Sequence, residues 1–239
     1  SFTLTDVVVL LGGHDFSTDS NEATLSIEVE DQDVTTFRSG GYRSRVGGLK
    51  DVSCDVSGFW QAGDGQVDPE AFANLGVRNQ PVTLSPVAAD GNVAYMFQGA
   101  EFSYEAFGSV GDAAPFSLSI MGTEGREGVI RGKISALDEE ISATGDFGDL
   151  QFAAPTAGQF VYAVIHVLES GTSLDIDLES ASDSGFSDVV SRFTFPQITA
   201  TGGYWMTRLA GPFSGETFWR FNVTAVTGSF VVSCAIGVQ

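Results

Sequence analysis

An all-β protein with one short helix is what this sequence predicts, on three observations. Apolar and polar residues alternate in short runs along the whole chain, turn-forming residues punctuate those runs, and only one segment carries both helix start and stop signals. The 29 glycines and 19 phenylalanines, with recurrent Val, Ser and Thr, favour turns and strands in the same sense. Successive strand side chains point to opposite faces, so each alternating run buries one side and wets the other. The pattern weakens over Asp138 to Gly148, which reads as an acidic, glycine-containing linker, and then restarts. Two domains are therefore expected, residues 1–145 and residues 146–239, the second a β-sandwich.

The clearest element is Lys50 to Trp60, KDVSCDVSGFW. Val52, Cys54, Val56 and Trp60 fall on one side and Asp51, Ser53, Asp55 and Ser57 on the other. Ahead of it, the apolar SFTLTDVVVLLGG reads as a strand rather than a secretory signal, because no basic region precedes its short apolar core. The segment HDFSTDSNE is a polar turn, and Leu25, Ile27 and Val29 alternate with Ser26, Glu28 and Glu30 in a second strand with an acidic face. Asp31 to Val46 lacks sustained period and holds Arg38, Arg43 and Arg45. It reads as an extended loop, either simply solvated or, if the chain assembles, one whose arginines meet carboxylates on a neighbouring molecule.

Asp68 to Gly76 is the helix, with Asp68 as N-cap, Pro69 at the first helical position, Ala71, Phe72 and Leu75 on one face, and Gly76 closing it. Strands follow at Pro81 to Leu84, Val93 to Phe97, Phe102 to Ala106 and Phe116 to Ile120, where Ser117 and Ser119 are wet. After a GTEGREG turn, Val129 to Ile134 is expected as the hairpin partner of the last of these. Beyond the linker, Phe160 to Leu168 is apolar on both faces and reads as a central strand. Leu174 to Glu179, Val189 to Phe195, Tyr204 to Leu209, Phe218 to Thr224 and Phe230 to Ile236 complete a sandwich of regularly spaced strands.

Composition excludes several functions. With 31 acidic residues against 11 basic, the net charge is -20, and general affinity for nucleic acid needs the opposite sign. No run is long and apolar enough for a membrane span, which needs about 18 residues. Cys54 and Cys234 lie inside apolar strands and read as buried thiols ahead of a disulfide. His166, on the strongest apolar strand, reads as a core histidine with satisfied hydrogen bonds, and His14 lies in the polar turn.

Chemistry is sparse. No nucleophile elbow, phosphate-cradling loop, zinc spacing or calcium loop occurs, so no enzyme activity, catalytic residue, cofactor or metal is expected. Asp175, Asp177 and Glu179 suggest a cation site, but strict alternation with Leu and Ile explains them as a wet strand face. Glu28 and Asp55 are candidates for a glycosidase acid pair that nothing in the sequence supports over two solvated faces. Asn222 opens a formal glycosylation triplet, read as a coincidence. Trp60, Trp205 and Trp219, with Tyr204 and Phe218, offer a sugar-stacking platform. That gives the alternative function, a secreted two-domain carbohydrate-binding protein using its C-terminal aromatics, set against a core role for the same rings.

In order along the chain, GGHDFSTDSN, DVTTFRSGGYRSRVGGLKDVSCDVSGFW, VGDAAPFSLSIMG and RGKI resemble phage major tail tube proteins of the long, non-contractile type, over about residues 5 to 136. The resemblance rests on order and pattern. It implies a tail-tube-type β-sandwich or barrel domain, stacked hexameric rings forming a DNA-conducting channel, and no enzymatic activity. It further implies that Asp51, Ser53, Asp55, Ser57, Ser117 and Ser119 face the lumen. Phe37, Arg38, Tyr42, Arg43 and Arg45 then belong to a loop reaching an adjacent subunit or ring. The implied partners are other copies of the chain, a tape-measure protein and tail terminator or baseplate proteins, with DNA passing without stable binding and no membrane insertion. The implied location is the virion tail, after synthesis in the host cytoplasm. The C-terminal β-sandwich looks like modules that some tail proteins carry on the outer surface.

Overall fold

The computed structural model describes residues 4–239. The strand reading of the opening stretch falls, in its first three positions, outside the described residues. Sixteen strands and one helix follow in the order β1 (Val8–Leu11), β2 (His14–Asp15), β3 (Ser20–Asp33), β4 (Arg45–Phe59), α1 (Val67–Asn74), β5 (Gln80–Ser85), β6 (Val93–Ala106), β7 (Pro115–Gly122), β8 (Ile130–Ile141), β9 (Gly145–Gln151), β10 (Phe160–Glu169), β11 (Ser173–Ala181), β12 (Val190–Thr194), β13 (Gly202–Trp205), β14 (Leu209–Ala210), β15 (Phe218–Thr227) and β16 (Phe230–Val238). The protein is all-β apart from α1. Among the described residues no helix is long and apolar enough to cross a membrane.

The chain forms two compact units, and both are discontinuous in sequence. A sandwich unit takes the stretch ending at Asp19, Gln80–Phe97 and Ile130–Gln239, and a hairpin unit takes Ser20–Asn79 and Gln98–Val129. This division differs from a boundary at residue 145. Strands β1, β5 and the first part of β6 belong to the same sheet path as β8, β16, β10 and β13, so sequence order does not separate the units.

In the sandwich unit, β12, β11, β15 and β9 form one sheet, which packs on β13, β10, β16 and β8. Val161, Ala163, Ile165 and Val167 of β10 meet Ile176 and Leu178 of β11 and Trp219 and Phe221 of β15 in this core. The opposite face of β10 is also buried, with Tyr162 and Val164 against Met96, Ile130 and Ile134. Coverage on both faces is why this strand reads as apolar throughout. His166 sits here fully buried, with Nδ1 2.8 Å from the Gly12 carbonyl and Nε2 2.7 Å from the Thr83 hydroxyl. The carbonyl only accepts, so Nδ1 carries the proton and Thr83 donates to Nε2.

Four sequence expectations are corrected here. Val129 to Ile134 does not return on β7: β8 pairs with β16 (Ala235↔Ile134, Cys234↔Ala136) and with β6 (Val93↔Lys133). Its apolar residues find cover from a strand a hundred residues away, a non-local choice that turn spacing cannot reveal. A Cβ at Gly132 would lie 2.2 Å from the Ile236 carbonyl oxygen, so the close approach of β8 and β16 requires that glycine. The expected linker Asp138 to Gly148 is the end of β8, a turn and the start of β9. Val93 to Phe97 and Phe102 to Ala106 are one strand, and Tyr204 to Leu209 divides between β13 and β14.

In the hairpin unit, β3, β4, β7 and the second part of β6 form an antiparallel sheet in that order. Val52, Cys54 and Val56 of β4, Phe116, Leu118 and Ile120 of β7 are buried on one face. Helix α1 starts at Val67, and Gln66 takes the cap position without a side-chain hydrogen bond, so Asp68 is not the N-cap. Of the expected apolar face only Ala71 is buried, joined by Val67 one turn earlier. Phe72 and Leu75 are exposed.

Candidate functional site

The hairpin unit places the expected polar residues in rows across its sheet. Asp55 lies opposite Thr24 on one side and Ser119 on the other, and Ser119 lies opposite Ser103. The next row runs Glu22, Ser57, Ser117, Glu105. On the other side, Ser53 stands between Ser26 and Met121, and Asp51 faces Glu28. Every one of these groups is exposed or half-buried, while the intervening Val52, Cys54, Val56 and Leu118 are buried. The structure thus brings Asp51, Ser53, Asp55, Ser57, Ser117 and Ser119 onto one face, and adds Glu22, Thr24, Ser26, Glu28, Ser103 and Glu105.

That face is acidic and hydroxyl-bearing, with no Lys or Arg among those residues. Lys50, the nearest cation in β4, pairs with Val29 on the register that carries Val52 and Ile27. Glu28 directly opposite Asp51 is a like-charge cross-strand pair, an arrangement that costs stability. A cleft of about 380 Å³ lies over the rows and is lined by Glu22, Thr24, Asp55, Ser57, Ser103, Glu105, Ser117 and Ser119. Glu28 and Asp55 are not opposite one another, since Thr24 is the partner of Asp55.

The second group, Phe37, Arg38, Tyr42, Arg43 and Arg45, gathers at the far end of the same sheet. The expected loop is shorter than Asp31 to Val46, because β3 continues to Asp33 and β4 begins at Arg45. Strand β4 pairs with β7 only from Ser53 to Phe59, so the hairpin beyond Lys50 is two-stranded and projects. Its tip is tied by Val34 N–H to Ser44 O at 2.9 Å, Ser44 N–H to the Thr35 hydroxyl at 2.9 Å, and Thr35 N–H to the Asp33 carboxylate at 2.9 Å. Phe37, Tyr42, Val46 and Leu49 are exposed along it. Arg45 pairs with Asp31 of its own hairpin at 2.9 Å, and at that exposure the pair contributes at most about 1 kcal/mol. Arg38 and Arg43 are exposed at the tip.

The remaining candidates are structural. Asp175 accepts from Gln197 and Asp177 from Ser191. Glu179 is buried rather than wet, holding Arg220 at 3.0 Å and Asn222 at 2.7 Å, which also occupies the Asn222 amide. Trp219 is fully buried in the sandwich core and Trp205 packs on Tyr162 with ring centroids 6.4 Å apart. The C-terminal aromatics therefore do not form one exposed platform. Cys54 and Cys234 are buried free thiols, and burial pushes Cys54 up to about 12.

One further group has no distinct signature in the sequence. Glu101 of β6 is 1% exposed, and neither carboxylate oxygen has a hydrogen-bond partner. It pairs with Ile120, and a register shift between Glu101 and Ser103 turns Tyr104 to the same face. Burial, aided by the charge of Glu70, raises its carboxyl to about 8. The signal available in sequence was only the break in alternation at Gly99-Ala100-Glu101-Phe102.

No family model and no curated protein matches the chain. Solved structures do. The chain is similar to one in the virion of a native gene transfer agent particle, at 19% identity and TM-score 0.43 over 52% of this chain and 95% of that one. It is similar to one in the tail of the empty gene transfer agent particle, described with C6 symmetry, at 18% identity and TM-score 0.42 over 52% and 96%. Nearly full-length similarity, 97% of this chain and 99% of the other, is to the SPP1 Dit protein, described as a hub of the adsorption apparatus of phages infecting Gram-positive hosts, at 12% identity and TM-score 0.35.

Proposed function

We propose that this chain is a structural subunit of a phage-tail-type particle, the repeating unit of the tail tube. Hairpin units of six copies close edge to edge into a ring, rings stack, and the acidic faces line a channel through which DNA passes. The observation that carries this reading is the face built on Asp55 and Ser119: four adjacent strands present carboxylates and hydroxyls with no cation among them. Phosphates near such a surface are repelled within a Debye length of roughly 8 to 10 Å and find no ammonium or guanidinium to hold them. DNA slides past without stable binding.

Two further features support assembly. Among the described residues, strand β3 pairs only with β4, and β6 beyond the Leu75 bridge at Glu101 has β7 as its one strand partner, which leaves edges that another chain can extend. Closure into a ring pairs such edges. The projecting hairpin carries exposed Phe37, Tyr42 and Leu49 beside Arg38 and Arg43, a surface that is apolar and basic on a chain of net charge -20. Its complement is the acidic surface of another copy. The sandwich unit is the outer module, and a tape-measure protein and the terminator or baseplate proteins are the remaining partners of the tube.

Negative-stain electron microscopy of the purified protein, concentrated over a range of salt, tests this reading. Six-fold rings or hollow tubes are the expected result. Discrete particles of subunit size under every condition overturn it.

A further inference from the structure

Glu101 has no role in the channel face, because its register places it with Ile120 and Tyr104 on the covered side of the sheet. Its surroundings are unusual for a carboxyl. Both oxygens are buried without a partner, and the neighbouring charge that acts on it is that of acidic Glu70. Helix α1 contributes half-buried Glu70 and Asp68, and Asp68 accepts hydrogen bonds from Tyr104 at 2.7 Å and Trp60 at 3.0 Å. From β6 comes Tyr104, and β7 presents Ile120 with no charge. An isolated carboxylate in such a site is costly unless it is neutral or reaches water.

The backbone of the same residue is where the helix segment meets the sheet. Leu75 makes a parallel bridge to Glu101, and the Gly76 N–H donates to the Glu101 carbonyl at 2.9 Å. This is the side of β6 away from β7. The helix that holds the segment there has eight residues, lacks a capping side-chain bond and buries only Val67 and Ala71.

We propose that Glu101 is a proton-controlled latch on this sheet edge: with its carboxyl neutral, α1 and the Leu75–Gly76 segment lie against β6, and ionisation favours their release, which uncovers the edge. Opening lets the carboxylate reach water and separates it from Glu70. The neutral form is held in the closed state up to a pH of about 8, whereas in the open state the carboxyl returns to its ordinary value near 4.5. The open state therefore binds fewer protons between those limits, and opening grows with pH across that window before levelling off. The latch belongs to the free subunit and stands or falls independently of assembly into a tube.

Native-state hydrogen exchange of the Gly76 amide from pH 5 to 9.5 tests it, with the Val56 amide of β4 as the reference for unfolding of the whole unit. After correction for intrinsic exchange, wild-type Gly76 protection should fall by about tenfold per pH unit and flatten above about 8; Val56 protection, which reports an unfolding that also frees the carboxyl, falls in parallel but stays well above that of Gly76 at every pH. Glu101→Gln should abolish the fall. Glu70→Gln should keep it but move the plateau to lower pH, since a like charge has been removed. The same pH profile in wild type and Glu101→Gln, or Gly76 protection equal to that of Val56 at every pH so that the amide exchanges only by unfolding of the whole unit, overturns the latch.

Discussion

At the scale of single residues, two buried ionisable groups push stability in opposite directions with pH. Burial holds His166 down to about 4, against a smaller opposing effect of its bond to the Gly12 carbonyl. The unfolded chain binds this proton near 6.5, so between those values it holds more protons than the native state. Stability of the sandwich unit should therefore drop by about tenfold in the folding equilibrium per unit as pH falls from about 6.5 to 4. Urea unfolding across that range checks it: His166→Gln should be less stable at neutral pH, by roughly 1–3 kcal/mol for the lost buried hydrogen bonds, and should lack this slope. An unchanged slope in the variant contradicts the assignment. His166 was legible as a core residue because Val and Ile surround it in sequence. Glu101 was not, because its burial depends on a register shift and on a helix twenty-seven positions earlier.

At the scale of elements, the alternation of β4 was readable because one of its faces is buried and a one-residue slip would expose Val52, Cys54 and Val56. Its outer end was not, since the two-stranded projection beyond Lys50 buries nothing and so imposes no period on residues 41–50, all of which are exposed. A two-stranded ribbon is marginal in water by itself, and this one holds its tip by three backbone-anchored bonds while presenting Phe37 and Tyr42 outward. Replacing both by Ser should change thermal stability of the subunit by less than about 0.5 kcal/mol yet abolish association seen by sedimentation velocity. Association at wild-type concentration in that variant would show that the tip is not a contact. The β8 pairing was the least legible element, because Ile134 and Ala136 pair with Ala235 and Cys234 about a hundred residues away, and sequence distance carries no trace of that choice.

At the scale of the molecule, both units interrupt one another along the chain, and reading strands in order gives their number and faces without their partition. What order does preserve is the distribution of charge. The excess of 31 acidic over 11 basic residues speaks against general affinity for nucleic acid, and the structure places part of it as parallel rows on one sheet face, where Glu28 and Asp51 oppose each other at a cost to stability. That cost is accounted for if the face exists to keep phosphates moving. The most direct measurement is a side-chain-resolution electron microscopy map of the assembled particle. The expected result is that the sheet face carrying Asp55, Ser117 and Ser119 turns toward the channel, with the Phe37–Tyr42 tip seated on another copy. A map in which that face turns outward, or is buried between subunits, would contradict it.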